Sequence, residues 1–232
     1  MQNDAKRRHY RLVADQILAL AAEQGLAVGA RLPSERDLAE QFGVSRPSLR
    51  EALIALEVEG RVEIRMGSGV YLRAAPDAAG AAAILETEGP LELLQARCLI
   101  ESAIAEEAAR HVTPGVIARL DAHLAGMAQA VHDRAQAIRL DGAFHVEIAQ
   151  TTGNAVLTHF TATTFERRLT PFFQQFSTHF EGPRTWRLAV SEHGAIRDAI
   201  AAADPAAARE AMRHHLTQSQ QRFTQSIQAD PG

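Results

Sequence analysis

Three well-separated stretches of this chain set a metal-ligating side chain among apolar residues at helical spacing. In AIRLDGAFHVEIA, Ile138, Asp141, His145 and Ile148 share one helix face, so a carboxylate and an imidazole point the same way as two isoleucines. In WRLAVSEHGAIRDAI the same spacing groups His193 with Ala189, Ile196 and Ile200. In AAAREAMRHHL it groups His215 with Ala208, Ala211 and Met212, while His214 falls toward the polar side with Arg213. If the three helices meet, one Asp and three His converge in an apolar interior and make a good site for a divalent transition metal. A plainer alternative stays open on spacing alone: inward histidines are commonly hydrogen-bonded core residues, and Asp141 need do no more than fix the tautomer of His145. Two further readings use the same four residues, as activators of water in a metalloenzyme or as a sensor for which the metal is the signal. Against the enzyme, no general base or nucleophile accompanies the ligands.

A cation sits on another apolar stripe. Arg97 shares its face with Leu93, Leu94, Ile100 and Ile104, where a guanidinium needs an anionic partner. Glu101, one turn on, is one candidate, and the carboxylate of a bound small molecule is the other. A metal held by four protein ligands accepts two more oxygens, which suits a carboxylate with an adjacent hydroxyl.

The elements that must position these groups are helical almost throughout. From Gly89 the pattern breaks at Thr113-Pro114, Thr152-Gly153-Asn154, Gly182-Pro183 and Asp204-Pro205. The breaks predict helices near 90–111, 114–131, 134–151, 154–180 with a bend at Pro171, 184–203 and 205–227. No strand-like alternation interrupts them, so residues 89–230 read as an all-α bundle.

Residues 1–75 read differently. A helix within residues 5–24 carries Tyr10, Val13, Ile17 and Leu20 at one spacing, and then comes RLPSERDLAEQFGVSRPSLREALIALEVEGRVEIRMGSGVYL. Ser34 is placed to cap a helix whose third residue on, Asp37, takes the reciprocal capping position. Gly43 stands where that helix must end, and Ser45 caps a second helix with Leu49, Ala52, Leu53, Leu56 and Val58 as its apolar side. Its other side begins with Arg46, Ser48 and Arg50. Val62–Arg65 and Val70–Arg73 alternate around Met66-Gly67-Ser68-Gly69 as a hairpin. The whole is a winged helix-turn-helix, whose second helix suits a DNA major groove because Arg can bond both acceptors of a guanine edge. Between the two parts, the Ala-, Pro-, Asp- and Gly-rich stretch 76–88 reads as a linker. The fold class expected is mostly α with a small β-wing.

The 232 residues, 46% of them hydrophobic, allow both parts a core. The formal net charge of -4 divides into +1 for the first 75 residues and -5 for the rest. Such a head cannot depend on general phosphate attraction alone and should need well-placed Arg contacts and dimerisation. Cys98, the single cysteine, excludes an internal disulfide and fits a reducing cytosol. No apolar run is long enough for a bilayer, so no membrane partner is expected.

The stretch LPSERDLAEQFGVSRPSLREALIALEVEGRVEIRMGSGVYL resembles the DNA-binding head of GntR-type bacterial regulators, in particular the FadR-like subfamily. That resemblance implies contacts to DNA by Arg36, Ser45, Arg46, Ser48, Arg50 and Gly67. Met66 is a departure, since some relatives carry a polar or basic side chain before the wing glycine. The second part is similar to the helical FCD effector domain of that subfamily in GPLELLQARCLIESAIAEEAA, the TTGN turn and the blocks around Asp141, His193 and His215. Members with Asp and three His in these places bind a divalent metal, often zinc or nickel. The resemblance therefore implies Asp141, His145, His193 and His215 as ligands, and Arg97 facing an effector, with a second contact from Arg168 or its neighbour Arg167. It is closest to repressors of hexuronate catabolic operons. A homodimer on a palindromic double-stranded operator, released or retained through a small carboxylate effector, is the implied mode of action.

Overall fold

The computed structural model describes residues 9–74 and 89–224. The expected linker at 76–88 lies outside them. The chain divides into two compact units, one with the described residues up to Leu91 together with Gln174–His179, the other with Glu92–Phe173 and Phe180–Phe223.

The first unit opens with α1 (His9–Glu23), α2 (Glu35–Phe42) and α3 (Arg46–Val58), followed by β1 (Val62–Arg65) and β2 (Gly69–Leu72). Tyr10, Val13 and Ile17 of α1 are buried with Leu38 of α2 and Leu49, Leu53 and Leu56 of α3. Ser34 caps α2 by accepting from the Asp37 amide at 3.2 Å. Asp37, a methylene shorter than Glu, accepts the Ser34 hydroxyl at 2.7 Å and so closes the box side chain to side chain. Gly43 ends α2 at φ 64°, the left-handed conformation in which a Cβ would be strained. Ser45 then caps α3 through the Ser48 amide at 3.2 Å. The two strands pair antiparallel with Val62 opposite Leu72 and Arg65 opposite Gly69, and Gly67 at φ 71° forms the tip. Arg31 adds an isolated bridge to Tyr71.

The rest of the described chain is all-helical, with α4 (Pro90–Ala108), α5 (Pro114–Gln129), α6 (Arg134–Thr151), α7 (Ala155–Glu166), a 3-10 turn at Arg167–Leu169, α8 (Pro171–Thr178), α9 (Pro183–Ala201) and α10 (Pro205–Thr224). The second unit takes these helices except for the part of α8 from Gln174, the first two residues of α4 and the last of α10, which belong to the first unit. The single bent helix expected over 154–180 is thus two helices with a 3-10 turn between them. Pro171 lacks an amide proton and disfavours helix at Thr170, which is extended at ψ 151°, so Pro171 opens a new helix. Leu120, Phe144, Ile148, Ile196, Ile200, Met212 and Leu216 form the main core. Mostly α with a two-stranded wing is the observed class. No helix among the described residues is long and apolar enough to cross a membrane.

Candidate metal centre and DNA-facing surface

Helices α6, α9 and α10 bring Asp141, His145, His193 and His215 into one buried cluster, with a ligand atom from each lying within 4.8 Å of the others. Each side chain is at most 3% exposed as a residue, so this is an interior site. His193 Nε2 stands 2.9 Å from Asp141 Oδ1 and 3.1 Å from His145 Nε2, and His145 Nε2 is 3.8 Å from Asp141 Oδ1. Donors about 2.1 Å from a common ion lie roughly 3 to 3.5 Å from their neighbours, and the distances from His193 to Asp141 and His145 come near that range.

What surrounds the rings fixes their orientation. His193 Nδ1 meets the Ala189 carbonyl at 2.6 Å, one turn back on its own helix. His215 Nδ1 meets Glu192 Oε2 at 2.8 Å, and His145 Nδ1 lies 2.5 Å from Glu101 Oε2. Hydrogen bonds at Nδ1 of His193 and His215 leave Nε2 of those rings as the lone-pair nitrogen, the support that ligating imidazoles ordinarily have, while Glu101 lies against His145 Nδ1 as a close ionic neighbour. Burial disfavours the charged ring in His145 and His215, and neighbouring His193 adds to the effect on His215, which is held down at about 3. Burial also opposes ionisation of Asp141, but the Arg168 guanidinium and the neighbouring imidazoles outweigh it and keep the carboxyl well below its usual range. Neutral imidazoles and an ionised carboxylate are the forms a metal needs. The cluster can hold a divalent ion.

Around it lies a second ring of charged pairs. Arg97 gives Nε to Glu101 Oε1 at 2.6 Å and Nη2 to Oε2 at 3.4 Å, and its guanidinium lies 4.0 Å from the centre of the Phe165 ring. The i to i+4 partner considered on spacing is thus realised, and Arg97 lines the adjoining cavity as well. Burial raises Glu101, but Arg97 and His145 overcome this and hold it at about 2. Arg168 gives one terminal nitrogen to Asp141 and the other to Glu181, so both ends of its fork are engaged within the protein. Arg167 belongs to the same 3-10 turn, and only Arg168 of the two is buried there. Arg222 holds Glu192 at 2.7 and 3.0 Å. The sequence reading passed over Glu192, Glu181 and Arg222. Arg222 did carry a signal, since it follows His215 by seven residues, two turns along the same face.

Beside the cluster opens a partly enclosed cavity. Asp141 and His215 form one part of its wall, and Arg97, Arg168, Trp186 and Arg222 contribute others.

In the first unit Arg36 and Arg46 at the start of α2 and α3 face outward, whereas Glu35 and Arg50 are buried. The Arg36 side chain is 82% exposed and that of Arg46 50%. Ser45 and Ser48 share a hydroxyl contact of 2.9 Å at the exposed N-terminus of α3. Gly67 and the exposed Met66 form the wing tip, while Arg65 pairs with Glu63 at 3.1 Å and lies over the Tyr71 ring. Arg50 corrects the expectation that it opens the exposed side of α3. Its side chain is fully buried, with Nη2 2.8 Å from Glu35 Oε2, and it ties α3 to α2. Position 50 follows Arg46 by four residues but lies further into the helix, where the Glu35 carboxylate provides the partner a buried guanidinium requires.

Comparison with known proteins agrees with both units. Residues 9–72 match the gntR family of bacterial regulatory proteins, and residues 92–218 match the FCD domain. The chain is 37% identical over 225 residues to the Exu regulon transcriptional regulator of Escherichia coli (strain K12), covering 92% of this chain and 83% of that protein. It is 35% identical over 219 residues to the Uxu operon regulator of Haemophilus influenzae, covering 93% and 82%. A GntR-family regulator from Pseudomonas syringae pv. tomato str. DC3000 shares the fold, with a TM-score of 0.51 at 20% identity over 93% of this chain and 84% of that one. A winged head, a helical domain and matches to both in the same order make this chain a member of the GntR family of DNA-binding transcriptional regulators, with an FCD domain, and not an enzyme.

Proposed function

We propose that this protein is a cytoplasmic repressor of a catabolic operon for sugar acids, controlled by a small carboxylate that binds beside a metal held by Asp141, His145, His193 and His215. Zinc is the ion favoured by three imidazoles and a carboxylate, and nickel is accepted by the same donors. When bound, the ion supplies a Lewis acid able to take a carboxylate oxygen and an adjacent hydroxyl. The chain's own groups do the rest. Arg97 presents the edge of its guanidinium not engaged by Glu101, and Arg168 orients Asp141. The observation that carries this reading is the convergence of one carboxylate and three imidazoles, all buried, with a ligand atom from each within 4.8 Å of the others. The names of the Exu and Uxu relatives point the choice of carboxylate toward hexuronates.

On the DNA side, Arg36, Ser45, Arg46, Ser48 and Gly67 meet the operator, with Arg50 bracing α3. The head carries a net charge of only +1 over residues 1–75, so a single copy has little general attraction to phosphate. A homodimer placing two α3 helices on a palindrome supplies the missing affinity, and an effector that disfavours simultaneous engagement removes it. The boundaries 1–75, 76–88 and 89–230 are the division we assign to head, linker and effector domain.

Calorimetric titration of metal-loaded protein with D-glucuronate, D-galacturonate and shorter acids, repeated with His193→Ala, tests this. Saturable binding of an acid that weakens at least tenfold in the variant is the expected result. Absence of binding by every acid, with metal still present at one ion per chain, would sink the effector assignment and leave the metal as structure or signal.

A further inference from the structure

Beyond the metal-proximal groups, the cavity continues along two helices. His193 and Trp186 are seven residues apart on α9, and His215 and Arg222 are seven apart on α10, so each wall runs about 10 Å of helix axis away from the cluster. All four of those residues lie on buried or half-buried faces, and Trp186, His215, Ser219 and Arg222 line the cavity. A two- or three-carbon hydroxy acid with its carboxylate and hydroxyl at the metal end reaches only a few ångströms. A six-carbon acid extends roughly 6 Å, from the bond lengths of a carbon chain.

The groups along that extension ask for hydroxyls. Trp186 is 5% exposed, and its indole Nε1 is a buried donor with no hydrogen-bond acceptor. Glu181 gives Oε1 to Arg168 at 2.8 Å, one guanidinium away from Asp141, whereas its Oε2 is a buried acceptor with no hydrogen-bond donor. That oxygen forms a longer ion pair with Arg134 Nε at 3.6 Å. Ser219, one turn beyond His215, accepts from Arg222 Nη2 at 3.2 Å. A donor with no acceptor and an acceptor met only by a longer ion pair both belong to residues lining this cavity, and a hydroxyl is the group that both accepts and donates. The indole face next to them, with Leu94, Phe180 and Ala189, suits the carbon-bound hydrogens of a polyol. Rotamer-scale movement of Trp186 and Glu181 on binding is enough to bring their buried atoms to a ligand.

We propose that Trp186 and Glu181 are specificity-determining residues that make this cavity select a polyhydroxy acid of about six carbons over short 2-hydroxy acids, Trp186 Nε1 donating to and Glu181 Oε2 accepting from hydroxyls remote from the carboxylate. The proposal rests on the carboxylate reading above and adds the residues that read the ligand's length and hydroxylation. Its test is calorimetry on metal-loaded protein with D-glucuronate, D-galacturonate, L-lactate and glycolate, for the native chain, Trp186→Phe and Glu181→Gln. The hexuronates should bind at least tenfold tighter than lactate. Trp186→Phe, which keeps the ring, should lower hexuronate affinity about tenfold and leave lactate affinity unchanged, with Glu181→Gln acting in the same direction. Trp186 is the only tryptophan in the chain, so its emission reports directly and should shift with hexuronate and not with lactate. Lactate binding as tightly as the hexuronates, or Trp186→Phe weakening both acids equally, would overturn the selectivity while leaving the carboxylate site in place. No acid binding at all would instead remove that site, and this proposal with it.

Discussion

A ligand atom is set by what its other side touches. His215 reaches the cluster through one nitrogen while Glu192 holds the second at 2.8 Å, and Glu192 is itself fixed by Arg222. Burial works against the charge of Glu192, but His215 and Arg222 overcome it and hold the carboxyl at about 2, so it is ionised at any ordinary pH. An ionised acceptor on Nδ1 raises the electron density at Nε2 and locks the ring plane. Glu192→Ala removes this support without touching a ligand. Metal affinity, read by competition with a chromophoric chelator, should fall by about 10- to 100-fold at neutral pH, the range found for lost outer partners. An unchanged affinity would mean that Ala189 and the packing of α10 fix the rings unaided. Arg50 shows the same logic in the other unit. Its type promised DNA, but residue type does not reveal a carboxylate 15 positions earlier in the chain, and Glu35 claims it.

Helix ends were legible in the sequence because their causes are local. Gly43, Ser34 and Ser45 act where spacing placed them, and Thr113 and Asn154, read only as parts of breaks, cap the helices that follow, since a cap or a left-handed residue involves only a few neighbours. The four buried Asp and His residues were likewise legible as faces, because α6, α9 and α10 keep one period through the residues concerned. What periodicity does not carry is the partner on another element, and so Glu101, Glu181 and Glu192 were passed over or half-read. Glu57 is a further case. It lies near the end of α3, accepts the Ile64 amide of β1 at 2.8 Å, and meets His179 Nε2 at 2.7 Å and Gln175 Nε2 at 3.0 Å, all within the first unit. Burial pushes its carboxyl up, yet the bonds from His179, Gln175 and Ile64 outweigh that and bring it below the usual glutamate value of 4.5. A carboxyl lowered by folding contributes stability that is present above its unfolded value and is lost as the pH falls through the folded one. Glu57→Ala should therefore lower stability by about 1 to 3 kcal/mol at pH 7, the cost of leaving such donors unanswered. The difference from the native chain should shrink as the pH falls below about 4.5, where the unfolded chain takes up a proton that the folded carboxyl still resists, until the folded one is protonated too. Thermal unfolding followed from pH 7 down to the lowest pH at which the native chain stays folded checks both statements, and a difference that stays constant throughout would dismiss the ionic part.

At the scale of the whole molecule, the two units hold different chemistry, and that separates two readings of the metal. Asp141, His145, His193 and His215 all belong to the second unit, whereas the apolar core around Leu38, Leu49 and Leu53 and the outward Arg36 and Arg46 belong to the first. No metal ligand is needed to complete the fold of α1 to α3 and the wing. If the ion serves to hold an effector, protein stripped by a chelator should still bind operator DNA and should have lost its response to acid. If the ion is the signal, stripping alone should change operator affinity. The coupling expected of an effector is about 1 to 3 kcal/mol, a change of roughly 5- to 150-fold, well within reach of a fluorescence-anisotropy titration of labelled operator. Four curves decide the matter: metal-loaded and stripped protein, each with and without D-glucuronate, at one fixed salt concentration because phosphate contacts make affinity steeply salt-dependent. We expect the acid to weaken operator binding only in the metal-loaded protein, with the stripped curves superimposed on the loaded, acid-free one. A stripped protein that releases DNA in the absence of any acid would transfer the signalling role to the metal itself.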